Sequence, residues 1–254
     1  MLPAERHQKI LEMIQLNGSM TVAELAKETS VSIPTIRRDL LKLERLGLVS
    51  RTHGGAVSVE RGTSFEPLYW HKRRVNMAEK ERIAKRAASL VKEGETLMLD
   101  SGSTTFCLAR ELHTKRNITV ITNDLLIANE LGRDPRVSVL VLGGAVRTGY
   151  FSIVGGFTEE MLRQLSVDKA FLGADAVHPE RGVTNATQEE VPIKRLMIQA
   201  SKQAYLLADH SKFGSARLCK VADLDCFAAI ITDTGIDPSM KREIELKGGR
   251  IEAV

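Results

Sequence analysis

Two hydrophobic periodicities divide the chain. Near the start, Ile10, Leu11, Met13 and Ile14 recur at helical spacing and predict a short helix over 5–16, closed by Asn17-Gly18. Thr21-Val22-Ala23-Glu24 reads as a capping box: the Thr21 hydroxyl accepts from the third helical amide and Glu24 reaches back, opening a second helix to about Glu28. Ser32 is the next N-cap, and Pro34 falls in the first turn of a third helix, where its missing N–H would have no partner. In that helix Ile33, Ile36, Leu40 and Leu43 share one apolar face. Thr35, Arg38, Lys42 and Arg45 fall in a sector roughly 80° wide on the opposite side. Arg37 lies nearer the core edge. Leu48 to Val57 then reads as two short strands about Gly54-Gly55, flanked by Arg51 and His53, in the form of a wing.

Further along, the pattern changes. Ile83, Ala84, Ala87, Leu90 and Val91 predict a helix over 77–93, ended by Gly94. After it, short apolar runs at Thr96–Leu99, Ile118–Ile121, Val137–Leu142, Lys169–Leu172, Ala204–Ala208, Phe227–Ile231 and Ile251–Val254 read as strands. Helical stretches, for instance around Phe106–Leu112, Leu125–Leu131, Phe157–Leu165 and Val191–Ser201, lie between most of them. Such alternation predicts a mainly parallel sheet covered on both faces. The expected class is α/β, with a small N-terminal winged helix-turn-helix domain over 1–58 (helix-turn-helix about 20–39), a connector over 59–76 and a larger α/β domain over 77–254. The connector holds Arg61, Gly62, Pro67, Trp70 and the basic run His71-Lys72-Arg73-Arg74, read as a solvated linker face with backbone phosphate as the alternative partner.

Charge sharpens the division. Of the net +4, residues 1–90 carry +6 and residues 91–254 carry −2, so the whole positive excess lies where the basic helix face does. A helix that is apolar on one side and basic and hydroxyl-bearing on the other can pack on its neighbours while presenting donors to a major groove. Candidate DNA-contacting residues are therefore Thr35, Arg38, Lys42 and Arg45, with Arg37, Arg51 and His53 toward phosphate and Thr21 and Ser32 at the helix starts. Use of the same module for protein or RNA contacts is the competing reading, and the outward basic stripe speaks against it. No run of 18 apolar residues and no signal-peptide segment is present, so the expected location is cytoplasmic, with no membrane partner. The three cysteines lack metal-ligand spacing and read as reduced core thiols; no metal, cofactor or catalytic residue is expected.

In open α/β sheets ligands bind beyond the carboxyl ends of strands. Asp100-Ser101-Gly102-Ser103-Thr104-Thr105 ends the first strand and opens a helix, a place where small residues, hydroxyls and a helix N-terminus favour an anion. Other strand ends supply Asn123, Gly143-Gly144, Gly173-Ala174-Asp175 and Asp209-His210-Ser211-Lys212, with Lys212 a point charge for a phosphate. Thr184, Asn185, Glu189 and Lys194 lie on a stretch able to cover the cleft and bind hydroxyls.

Thr35-Ile36-Arg37-Arg38-Asp39-Leu40, then Leu43-Glu44 and Arg51-Thr52-His53-Gly54-Gly55-Ala56, resemble the signature of the DeoR family of bacterial repressors over residues 3–57. Members often carry Gly where this chain has Ser30. The strand-end motifs, with Gly182-Val183-Thr184 and Glu189, resemble in order the DeoR-family effector domain, similar in fold to ribose-5-phosphate isomerase. The resemblance implies a repressor of a carbohydrate-utilisation operon, binding a double-stranded DNA operator as a homodimer or homotetramer. It also implies a phosphorylated sugar as effector, its phosphate held by Ser101 to Thr105 and Lys212. The alternative is a sugar-phosphate isomerase carrying a DNA-binding domain, with Asp100, Asp175, Glu189 and Asp209 as available carboxylates. The isomerases have a lysine-bearing, glycine-rich segment where this chain has Arg181-Gly182-Val183-Thr184-Asn185, which favours binding without turnover.

Overall fold

A computed structural model of the chain describes residues 2–17, 19–57, 62–67 and 69–254. They divide into two units, Met1–Gly62 and Thr63–Val254. Gly18, expected to help stop the first helix, and residues 58–61, which contain the expected domain boundary and Arg61, lie outside the described residues.

The first unit runs α1 (Pro3–Asn17), β1 (Ser19–Thr21), α2 (Val22–Thr29), α3 (Ile33–Arg45), β2 (Ser50–Arg51) and β3 (Gly55–Val57). Ile10, Ile14, Leu25, Ile36, Leu40, Leu43 and Val49 form its core. Ile33 does not join them and is 44% exposed. As the first residue of α3 it has no preceding helical turn for its side chain to cover, so the face begins at Ile36. The capping box is present: Glu24 N donates to Thr21 Oγ1 at 3.2 Å and Thr21 N to Glu24 Oε2 at 2.8 Å. α2 ends on Ser30 in the left-handed region, φ 55° and ψ 39°.

β1 is an addition to the expected wing. The three strands pair in the order β1-β3-β2, with Thr21 opposite Gly55. A Cβ on Gly55 would sit 2.1 Å from the Met20 carbonyl oxygen. Gly55 therefore serves the approach of β1, whereas a Cβ on Gly54 would meet nothing within 4 Å.

The second unit opens with α4 (Tyr69–Arg74), α5 (Met77–Ser89), β4 (Thr96–Leu99), α6 (Ser103–Glu111), β5 (Ile118–Thr122), α7 (Leu125–Leu131) and β6 (Val137–Val141). It continues through β7 (Ala145–Val146), β8 (Ile153–Val154), α8 (Gly156–Arg163), β9 (Val167–Gly173), β10 (Ala176–His178) and β11 (Gly182–Asn185). It closes with α9 (Val191–Ala200), β12 (Ser201–Leu207), β13 (Cys219–Ala222), β14 (Ala229–Thr232), α10 (Pro238–Leu246) and β15 (Ile251–Ala253). The seven strands read from the apolar runs form one sheet, β15-β14-β12-β9-β4-β5-β6, with every pair parallel. Successive residues alternate between two cores, as a sheet buried on both faces requires. Leu97, Leu99, Phe171 and Leu207 pack with helices α5, α6 and α7, and Met98, Ala170, Leu172 and Leu206 with α8, α9 and α10.

From β4 the chain winds outward through β5 to β6, then returns to place β9 on the other flank of β4. The strand order reverses between β4 and β9, where such sheets open a crevice. Three features lie outside the sequence expectation: the antiparallel pair β7–β8, the small antiparallel sheet β10-β11-β13, and α10. Residues 63–67 and 69–76, expected to be connector, belong to the second unit, where Tyr69 is buried edge-on against Phe151. Of the expected core thiols only Cys107 is buried; Cys219 is half-buried and Cys226 exposed. Among the described residues no helix is long and apolar enough to cross a membrane, and no cluster of His, Cys, Asp or Glu is placed to hold a metal.

Candidate functional site

On α3 the structure brings the basic residues to one open surface. Arg37, Arg38, Lys42 and Arg45 are exposed and Thr35 is half-buried beside them. Among the described residues none of the four cations is paired with a carboxylate. Unpaired surface cations keep their full charge for phosphate and their donors for base edges. Arg37 is exposed, as Arg38 is. The Ser32 hydroxyl makes no cap bond; it pairs with the Thr35 hydroxyl at 2.9 Å, and the backbone carbonyl of Ser32 receives the first helical amides. Thr21 Oγ1 donates to Glu24 Oε2 at 2.8 Å, so its proton is committed within the capping box. Arg51 is tethered to α3, its amide donating to Glu44 Oε1 at 3.2 Å and its guanidinium 3.5 Å from Glu44 Oε2, and His53 is exposed nearby in the chain.

Beside its apolar face, α3 is held by a polar contact absent from the sequence reading. Asp39 lies on the inner side of the helix, buried, and accepts from Arg6 Nε at 2.5 Å, the second Arg6 nitrogen at 3.2 Å and His7 Nε2 at 2.8 Å. Burial pushes its carboxyl up, but the bonds from Arg6 and His7 outweigh that and hold it below the usual range.

In the second unit a cavity of about 410 Å³, counting its open mouth, lies at the β4/β9 crevice. Ser101 to Thr104 enter from the end of β4, Gly173 to Asp175 from the end of β9, and Lys212 from the turn after β12. Lys72, Asn185, Glu190 and Lys194 complete the polar wall. Gly102 precedes α6 without a side-chain cap, so the amides of the first turn have no side-chain partner. The half-buried Lys212 ammonium has no carboxylate within ion-pairing distance among the described residues. Burial pushes its pKa down, against the field of Asp209.

The remaining lysines are compensated. Lys194 Nζ donates to Asp100 Oδ2 and, at 3.0 Å, to the Gly173 carbonyl. Burial pushes its pKa down, but Asp100 and Glu190 outweigh that and raise it. Lys72 Nζ lies 2.8 Å from Glu66 Oε1 and 3.4 Å from Asp175 Oδ1, and these carboxylates overcome its burial to raise its pKa. Asp175 also accepts from Ala186 N at 3.0 Å. Ser101 Oγ donates at 2.6 Å to Asp124, whose burial raises its pKa to about 6.

Several expected site residues are spent on the fold and do not line the cavity. Thr105 Oγ1 donates to the Gly102 carbonyl at 2.9 Å and is fully buried. Asn123 Nδ2 holds the Ile153 carbonyl at 3.1 Å. Gly143 bonds Met161 and Thr158 of α8, and a Cβ on Gly144 would lie 2.3 Å from Thr158 Oγ1. Thr184 Oγ1 accepts from Arg217 N at 2.8 Å. Asp100 forms the floor beneath Lys194 and is not itself a lining residue. Glu189 points outward, 61% exposed, and pairs with Arg147 at 3.0 Å. Its neighbour Glu190 is the carboxylate that faces in, receiving Arg147 and Ser152 on Oε1, both at 2.7 Å, and Asn185 on Oε2 at 3.2 Å.

Residues 6–62 match the family described as the DeoR-like helix-turn-helix domain, and residues 75–234 that described as the DeoR C terminal sensor domain. The chain is 36% identical over 251 residues to the HTH-type transcriptional regulator GolR of Listeria innocua, covering 98% of this chain and 97% of that one. It is 35% identical over 236 residues to the transcriptional repressor AccR of Agrobacterium fabrum, covering 91% and 90%. Ribose 5-phosphate isomerase A of Methanocaldococcus jannaschii superposes with a TM-score of 0.41 at 22% identity over 55% of each chain, too loose a likeness to bear on activity. An exposed basic helix within a DNA-binding helix-turn-helix, followed by a small-molecule sensor domain and shared end to end with named regulators, makes this a transcriptional regulator, not an isomerase, and it belongs to the DeoR family.

Proposed function

We propose that the chain represses a carbohydrate-utilisation operon and is released from its DNA by a phosphorylated sugar. The observation carrying this reading is the meeting, in one cavity at the sheet's switch point, of the unpaired Lys212 ammonium and the uncapped first turn of α6. Amides and one cation converging on a small volume suit a phosphoryl group. Ser101, Ser103 and Thr104 line the same end. At the other end Asn185 donates to Glu190 while its Oδ1 is buried without a donor, an acceptor suited to a ligand hydroxyl.

Arg37, Arg38, Lys42 and Arg45 dock on duplex DNA, with Arg51 and His53 of the wing toward phosphate. One small module buries too little surface for genomic specificity, so a homodimer or homotetramer pairs two recognition helices on repeated half-sites. Effector weakens operator binding only in so far as it binds the DNA-free arrangement better.

The test is a thermal-shift screen of the full chain against sugar phosphates, their unphosphorylated parents and inorganic phosphate, followed by operator release with each hit. A ligand at 100 times its Kd stabilises the unit it binds by about 2.7 kcal/mol. If the unphosphorylated sugars shift the melt as far as their phosphates, the phosphate assignment fails.

A further inference from the structure

The stretch that opens the second unit is held by the buried Tyr69 ring and by charged contacts, several of which reach the effector cavity. Glu66 is buried, and one of its oxygens takes Lys72 while the other takes Arg147 at 2.8 Å. Its carbonyl receives the Tyr150 hydroxyl at 3.0 Å. Arg147 in turn binds Glu190, which lines the cavity. Lys80 is buried, and its ammonium ties down the carbonyls of Lys72, at 2.8 Å, and Val75. Asn76 donates to Asp209 at 2.8 Å, and the Thr63 carbonyl receives Leu218 N at 3.1 Å. Lys72 is thus a wall of the cavity and also a member of the segment that leads directly from the chain's first unit.

We propose that Lys72 is an effector-binding residue, and that an anionic ligand draws its ammonium from Asp175 and Glu66, breaking the Lys72–Glu66 contact within the segment that begins at Thr63. Lys72 stands 3.4 Å from Asp175 and 2.8 Å from Glu66, and both carboxylates hold its charge. A phosphoryl dianion entering beside Lys212 offers more acceptors and more charge than one carboxylate. Glu66, left with Arg147 alone, no longer bridges the cavity wall to the Arg147–Glu190 pair. Occupancy is thereby converted into altered anchoring of the only covalent route to the DNA-binding unit. The proposal rests on the phosphate-binding reading of the cavity.

Hydrogen exchange on the full chain, with inorganic phosphate and then the best sugar phosphate of the screen as probes, tests both. In the unsubstituted protein the probe slows exchange at 101–105 and changes it at 69–75. Lys72→Gln weakens probe binding about tenfold or more and removes the change at 69–75, whereas Lys72→Arg restores both. Thermal melts of each variant without ligand identify any that fails to fold, and Lys72→Arg, keeping the charge, then carries the comparison. If 101–105 respond while 69–75 stay silent, or Lys72→Gln binds with unchanged affinity, Lys72 is only structural and the proposal falls while the phosphate reading stands. If 101–105 respond to no probe, the phosphate reading falls and takes the proposal with it.

Discussion

Asp39→Asn strikes the contact that fixes the recognition helix against α1. The substitution keeps one carbonyl oxygen, removes the charge, and turns an amide toward the Arg6 guanidinium, which can only donate. Removing one member of a fully buried pair costs about 3–5 kcal/mol. Here the Arg6 and His7 side chains keep 11% and 20% of their surface exposed and can turn toward water, so about 2–3 kcal/mol is the working figure. A unit of this size holds only about 3–9 kcal/mol in total. The loss is therefore a large share, and at about 4–8 °C per kcal/mol it lowers the unit's melting point by about 8–24 °C.

The assay exploits the sole tryptophan, Trp70, which lies in the second unit. Far-ultraviolet circular dichroism should show the first unit melting early, while the tryptophan fluorescence transition stays in place. The pH dependence has a definite sign. The folded-state carboxyl of Asp39 is held below its ordinary value, so its contribution is complete above the unfolded carboxyl's range, near pH 4 and upward, and disappears as pH falls through the folded value. The gap between the parent and Asp39→Asn should hold constant from pH 8 to about 5 and close under acid. A loss below about 0.5 kcal/mol, or a gap unchanged to pH 3, would refute the clamp.

Arg38→Ala should cost about 1–3 kcal/mol of operator affinity and relax preference at one base position if Arg38 reads a guanine; an electrophoretic titration with unchanged affinity and preference removes it from the reading set. Ser30→Gly should stabilise the first unit by about 0.5–1 kcal/mol, because Ser30 occupies a left-handed conformation that costs a side-chain-bearing residue more than glycine; no gain in denaturant midpoint would show the strain is absorbed elsewhere. Lys212→Ala should leave operator binding intact and abolish release by the effector, and a variant released at the parent's ligand concentration would place the phosphate elsewhere.

The seven sheet strands were legible because a parallel strand buried on both faces is a run of apolar residues, as in Leu97-Met98-Leu99, and needs no distant information to recognise. Strands β10, β11 and β13 span three or four residues each with polar positions among them, too short for a period to declare itself. α10 did carry a local signal, Asp237 capping the helix ahead of Pro238. The site was legible only where chemistry is local. Ser101 to Thr104 announce themselves as a strand end opening a helix, and Lys212 as the cation of a strand-end turn. Lys72–Asp175 and Arg147–Glu66 join residues 103 and 81 positions apart, and no local pattern encodes such pairs. One residue of register just before α9 separates the expected Glu189, which faces solvent, from Glu190, which lines the cavity.

The two units use cations in opposite ways, and the difference follows from what each must bind. On α3 the basic residues stand in water without partners, so they cost nothing in desolvation and attract any polyphosphate; selection among duplexes then falls to the side chains that reach base edges. In the cavity, Lys72 and Lys194 are already compensated by Glu66, Asp175 and Asp100. On the proposed reading an anion that enters beside the unpaired Lys212 wins these two only by offering more than their resident carboxylates, so a weakly coordinating ion leaves the network intact. On the proposed reading DNA meets only cations that are free, whereas an effector meets one free ammonium, Lys212, beside two that must be won from carboxylates, and that exchange of partners distinguishes an occupied cavity from an empty one.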